Sequence, residues 1–164
     1  MDILAHSLWA IAVIPGEQIA GKIILGIMPD LAVFGPNLLV IAIKGKKLPR
    51  FKTRENMMDW FEKKDNRWVK TLYRWTHSLV IWSLLIMAGF FLCKYHGYPP
   101  PWFLLAAPLH ILLDIPTHTK KSFPVEFLTP LSSFQLDGIH WSQKWVLLIN
   151  YLIVSAILLF RYIL

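Results

Sequence analysis

A chain whose apolar runs approach the thickness of a bilayer has few folds open to it. In hydrocarbon every backbone N–H and C=O must be satisfied within the protein, which leaves helices as the simplest spanning element. Here such runs cover Ile19 to Ile43, Thr76 to Lys94, Pro101 to His118 and Trp145 to Leu164, and a shorter one covers Ile3 to Ile14. Apolar residues make up 55% of the chain, with eight Trp and ten Phe, too many for an ordinary soluble domain. The expected fold is all-α: a multi-pass transmembrane helix bundle of about four spans plus a short N-terminal helix. With 164 residues, one integral membrane domain covering 1–164 accounts for the whole sequence.

Charge is concentrated in one place. Eleven of the seventeen Lys and Arg lie between Lys44 and Arg74, so the net charge of +7 belongs mostly to a single segment, residues 44–75. The positive-inside rule places that loop in the cytoplasm. Flanking spans make membrane lipids, through their anionic headgroups, the expected counter-charge, and nucleic acid is not an expected partner. Met57, Trp60, Phe61, Trp68, Leu72 and Tyr73 recur there at helical intervals, which fits an amphipathic segment on the headgroups or a loop whose aromatics cover the bundle end. The single Cys93 excludes an intrachain disulfide and suits packing. Met1-Asp2 is acidic where a cleavable signal starts basic, so none is expected.

Ionisable groups inside the apolar runs stand against this background. Such groups are costly in hydrocarbon and mark functional sites when they turn inward together. His110 and Asp114 are four residues apart, hence on one helical face, and His118 follows one turn later beyond Pro116. The pair suits chelation of a borderline metal, or else a buried hydrogen bond that fixes helix packing. Asp2 and His6 repeat the pairing in reverse order at the start of the chain. Gly26, Pro29, Gly35 and Pro36 predict a broken helix over Ile19 to Ile43, with Asp30 at the break and Met28-Pro29-Asp30 lining a cavity. His77 stands at the cytoplasmic mouth of the next span.

With the basic loop inside, His6, Asp30, His77, His110, Asp114 and His118 all fall in the same half of the bilayer. These six are metal-ligand candidates of the types zinc takes. Two carboxylates neutralise one dication, and the set is large enough for one or two ions. The chemistry expected is metal-assisted hydrolysis, with any unligated member of the set as general base and no single catalytic residue assigned. The competing readings are a non-catalytic metal-binding or carrier protein and a structural membrane protein whose His-Asp pairs fix helix register. His96 is expected to be a turn residue, His140-Trp141 an interfacial anchor or a cap on the cavity, and Glu126 a solvated acid or a lysine partner.

Ala5-His6, Pro29-Asp30, Thr76-His77-Ser78-Leu79, His110-x-x-x-Asp114 and Phe127-Leu128-Thr129-Pro130 resemble, in order and approximate spacing, a bacterial inner-membrane family of metal-dependent hydrolases. That family is distantly similar to zinc-dependent phospholipase C, whose helices gather histidines and aspartates around zinc. The resemblance implies an inner-membrane location and cleavage of a phosphoester, with a lipid among the candidate substrates. It departs from the family pattern at Leu31-Ala32-Val33-Phe34, where members carry a further acid and histidine, and at Tyr73-Arg74-Trp75, where they carry His-Arg-Gly.

Overall fold

The computed structural model describes residues 1–47, 49–50, 54–63 and 65–163, the side chains of residues 54 and 55 excepted. Among them are seven α-helices and no strand: α1 (Ile3–Val13), α2 (Ile19–Ile43), α3 (Arg54–Glu62), α4 (Arg67–Thr76), α5 (Leu79–Tyr95), α6 (Ala106–Asp114) and α7 (Lys144–Tyr162). Short 3-10 turns at Trp102–Leu105 and Ile115–Thr117 flank α6. The all-helical expectation is met, and the stretch before α7 is irregular as the sequence implies.

Local chemistry sets the helix starts. The Asp2 carboxylate caps α1 by accepting from Ala5 N at 2.9 Å, and the Ser78 hydroxyl caps α5 by accepting from Ile81 N at 3.1 Å. Gly16, with φ of +86°, turns the chain between α1 and α2. One expectation is corrected here: α2 runs unbroken through Pro29 and Pro36. A proline removes one donor, and a helix packed on several sides tolerates the loss where neighbours engage the backbone groups around it. The carbonyl that Pro29 leaves without its usual donor is that of Leu25, next to the Gly26 carbonyl that accepts from His110 Nδ1 at 2.7 Å.

Helix α2 is the axis of the packing, touching α1, α4 and α6, while α7 lies along α1. Close approach of α1 depends on Gly26, where a Cβ would stand 3.0 Å from Ala10 Cβ and 3.3 Å from His6 O. Polar side chains lock α7 in place. Trp9 Nε1 donates to Asn150 Oδ1 at 2.7 Å, and Arg161 reaches the Ala12 carbonyl at 2.8 Å. Interhelical bonds of this kind are worth about 1 kcal/mol in membrane bundles. Trp9→Phe is therefore expected to lower stability by about that amount, read as a reduced melting temperature in detergent. An unchanged melting temperature would show that apolar packing alone holds α7.

Two helices, α2 and α7, are long and apolar enough to cross a membrane. Helices α4 and α5 meet the same test only as a pair, bent by 49° at the break around His77. Helix α1 and the Trp102–Thr117 segment are apolar but shorter. Nothing on α5 is buried, and its Leu84, Leu85, Met87 and Phe91 are more than half exposed, as are Leu148 and Leu152 on α7. Apolar surfaces of that extent mark contact with lipid or protein.

The basic segment folds back on the bundle. Phe61, Val69 and Tyr73 of α3 and α4 are buried with Val33 and Phe123, so its aromatics cover the bundle end. Glu62 pairs with Lys70 between the two helices, and that ammonium holds the Glu62 carboxyl below the usual carboxylate range. Of the basic residues in 44–75, Lys52, Lys64 and the Arg54 side chain lie outside the described residues.

Candidate metal centre

Four groups from three parts of the chain converge at the middle of α2. Asp30 comes from α2, His77 from the bend between α4 and α5, and His110 and Asp114 from α6. One ligand atom from each lies within 4.8 Å of the others. His110 Nε2 is 3.1 Å from Asp114 Oδ2 and 3.9 Å from Asp30 Oδ1; His77 Nε2 is 3.4 Å from Asp30 Oδ1 and 3.7 Å from Asp114 Oδ2. His77, His110 and Asp114 are sealed from solvent, and the Asp30 side chain keeps 16% of its surface exposed.

The hydrogen bonds on the far side of each ring decide what this cluster needs. His110 Nδ1 lies 2.7 Å from the Gly26 carbonyl and His77 Nδ1 lies 3.1 Å from the Tyr73 carbonyl. A carbonyl only accepts, so His110 carries its proton on Nδ1 and, when neutral, presents a bare lone pair at Nε2. His77 Nδ1 also lies 3.1 Å from the Thr76 hydroxyl, which can donate or accept, and the same tautomer follows where His77 donates to the Tyr73 carbonyl. In that arrangement both lone pairs face carboxylate oxygens, which are also acceptors, and His77 Nε2 and His110 Nε2 are buried with no hydrogen-bond partner among the described residues. Acceptors crowded against acceptors call for positive charge between them, supplied by protons or by a metal ion. Ring N–H to backbone carbonyl is also the support that metal-bound histidines ordinarily receive. The Asp30, His77, His110 and Asp114 cluster could thus hold a metal ion, and its donors are the nitrogen and carboxylate types that divalent ions take.

The other two candidates flank this quartet. His6 stacks on His110 with centroids 3.5 Å apart and puts Nε2 3.2 Å from Asp114 Oδ1; neither of its ring nitrogens finds a hydrogen-bond partner among the described residues. His118 Nδ1 sits 3.5 Å from Asp114 Oδ1 and 3.1 Å from the Asp114 carbonyl, so its proton is already engaged. The Met1 amino group also lies against Asp114 Oδ1, adding positive charge to this carboxylate. Asp2 does not pair with His6 as its spacing suggested. Its carboxylate caps α1 and accepts from Tyr151 OH at 2.8 Å.

Beside the cluster opens a cavity of about 990 Å³, reached by Asp30 and His118 and walled by Phe34, Leu38, Ile41, Met57 and Trp60. Of Met28-Pro29-Asp30, expected to line a cavity, Asp30 does so, Met28 and Pro29 are not among the lining residues, and the helix does not break to make it. His140 and Trp141 belong to the same wall, which favours the capping role over the interfacial one. Glu126 is held by Arg74 at 2.6 Å and Gln135 at 3.0 Å, away from the cluster. His96 caps the C-terminal end of α5 in an exposed turn.

Tyr73 covers the bundle end, one of the two contexts its spacing allowed, but sequence reasoning missed its contact with His77. Its ring stacks on His77 at 3.7 Å, its carbonyl orients that histidine, and its buried hydroxyl has no hydrogen-bond partner among the described residues. The signal was its position four residues before His77, one turn away on the same face. Comparison with protein-family models, curated proteins and solved structures finds no match to this chain.

Proposed function

We propose that this chain is an integral membrane, metal-dependent hydrolase of phosphoesters. In this reading α5 and the Trp102–Thr117 segment enter the bilayer beside α2 and α7, giving about four spans, with the basic loop 44–75 on the cytoplasmic face of the inner membrane against anionic headgroups. The observation that carries the catalytic part is the asymmetry of the cluster: three members are sealed, while Asp30 and the adjacent His118 open onto a large cavity. A closed four-ligand site serves structure, whereas hydrolysis needs a coordination position and space for substrate on one side.

Asp30, His77, His110 and Asp114 would hold the ion, and their nitrogen and oxygen donors suit zinc. A divalent ion held there would supply Lewis acidity, drawing electron density through a phosphoryl oxygen away from the phosphorus that water attacks, and would acidify that water near neutral pH. The protein's own contribution is geometric. Gly26 O and Tyr73 O fix the ring faces of His110 and His77, and Asp114 gathers His6 and His118 around the same carboxylate. His118 is the proton acceptor in this reading, because it borders the cavity while its Nδ1 proton is engaged elsewhere.

Purified protein should hydrolyse a chromogenic phosphodiester only while metal-loaded, and Asp30→Asn should lower the rate by about a hundredfold or more. Stoichiometric metal with no turnover of any phosphoester would instead favour the non-catalytic metal-binding reading, and a metal-free cluster the structural one.

A further inference from the structure

The cavity has a direction that the cluster alone does not explain. Asp30, Phe34, Leu38 and Ile41 line it at the spacing of a single α2 face, and from Asp30 to Ile41 the helix rises roughly 16 Å at about 1.5 Å per residue. Polar ligands therefore stand at one end of a long apolar wall. The volume of about 990 Å³ lies at the top of the range for small-molecule sites, about 300–1,000 Å³. A small phosphoester would occupy the Asp30 end and leave the rest to water on apolar side chains.

The wall is also open on its apolar side. Ile3, Leu4 and Leu38 line the cavity and are 58%, 59% and 51% exposed, so the lining continues onto the outer apolar surface of α1 and α2. Next to the Ile41 end lies a smaller recess of about 220 Å³ that shares Asn37, Ile41 and Trp60 with the cavity. Lys44, Lys46, Lys47 and Lys63 line it, with Asp65 as the one acid among the described residues there. Each lysine near a membrane surface attracts anionic lipid by about 1 kcal/mol.

We infer that the cavity is a site for an anionic phospholipid, with its phosphate at the lysine recess beside the Ile41 end and an acyl chain running along the Ile41, Leu38 and Phe34 face of α2 toward Asp30. This orientation rests on the proposed topology, which sets the basic segment at the headgroups and Asp30 deeper in the bilayer; the chain site itself rests on the cavity. The chain enters laterally past the exposed Ile3, Leu4 and Leu38.

The test is native mass spectrometry of the full chain in nonionic detergent, titrated with lysophosphatidylglycerol, glycerol 3-phosphate and lysophosphatidylcholine, with metal content measured on each sample. One lysophosphatidylglycerol should be retained per chain, and glycerol 3-phosphate, which lacks the acyl chain, should not. Leu38→Trp and Ile41→Trp, which fill the wall, should each weaken retention about tenfold, whereas Leu39→Trp on the exposed side of α2 should not. Equal retention by all three variants, or binding of glycerol 3-phosphate as tight as that of the lysolipid, overturns the chain site. Binding of lysophosphatidylcholine as tight as that of lysophosphatidylglycerol overturns the preference for anionic lipid. The two readings fail separately: lipid retained by protein that holds no metal sinks the hydrolase and keeps the lipid site, while metal retained without lipid does the reverse.

Discussion

Asp114→Asn should strip the metal from the purified protein while Glu126→Gln leaves it in place. Asp114 meets all four histidines and the amino group at the centre: His110 at 3.1 Å, His6 at 3.2 Å, His118 at 3.5 Å, His77 at 3.7 Å, and the Met1 amino group. Asparagine keeps the shape of the side chain but not its charge, so positive charge at the centre loses half of its carboxylate compensation. Removing one partner from a buried charge cluster costs about 3–5 kcal/mol, and the loss should appear as a lower melting temperature as well as missing metal. Elemental mass spectrometry after a chelator wash reads the first effect. Glu126 is the fitting control, since its partners are Arg74 and Gln135 and its loss leaves the cluster intact. An Asp114→Asn protein that still holds stoichiometric metal would falsify the assignment of this carboxylate as a ligand.

Much of this cluster was legible because helical periodicity acts at short range. The spacing of His110 and Asp114 fixed their common face before any fold was known, and the two side chains meet at 3.1 Å. Spacing misled where the same periodicity met a competing local demand. Asp2 and His6 are also four apart, but Asp2 sits at an N-cap, and the orphan amide at Ala5 claims its carboxylate first. His6 is left to find Asp114 from another helix, a contact no local rule contains. The prolines of α2 misled in a related way. Propensity registers the donor that Pro29 lacks, but not the packing of α2 against α1, α4 and α6, which holds the helix through it.

The cavity was the least legible feature. A concave wall made by one face of α2, the inner side of α3 and the loop at His140 exists only once those elements are placed; Asp30 of the Pro-Asp motif marked one point of it, and no motif in α3 or the His140 loop announced the rest. The amphipathic pattern of the basic segment was visible, yet it fits a helix on a lipid surface as well as one covering a bundle end. Burial of Phe61, Val69 and Tyr73 shows the covering role, and Tyr73 is found stacked on His77 of the cluster.

Gly35→Ala and Gly26→Val should separate an effect local to α2 from one at its crossing with α1. At Gly35 an added Cβ would meet Leu31 Cδ1 at 3.7 Å, but the residue stands immediately before Pro36, where a Cβ disfavours the helical conformation and offsets the usual gain of alanine over glycine, so the melting temperature should stay close to that of the unaltered protein. At Gly26 the new methyl stands 3.0 Å from Ala10 Cβ and 3.3 Å from His6 O, and neither atom belongs to a flexible side chain. Helix α1 must therefore move away as a body, and Gly26→Val, with two further methyls, should cost about 1–3 kcal/mol. The displacement has a chemical consequence. It carries His6 off the His110 ring and disturbs the Gly26 carbonyl that fixes His110 Nδ1, so metal affinity should fall about 10–100-fold, as for other losses of a ligand's supporting hydrogen bond. Melting temperature and metal titration on Gly26→Val and Gly35→Ala read both effects. If Gly26→Val melts and binds metal like the unaltered protein, the α1–α2 contact does not set the geometry of the centre; if Gly35→Ala loses metal as well, the effect belongs to α2 as a whole and not to the crossing at Gly26.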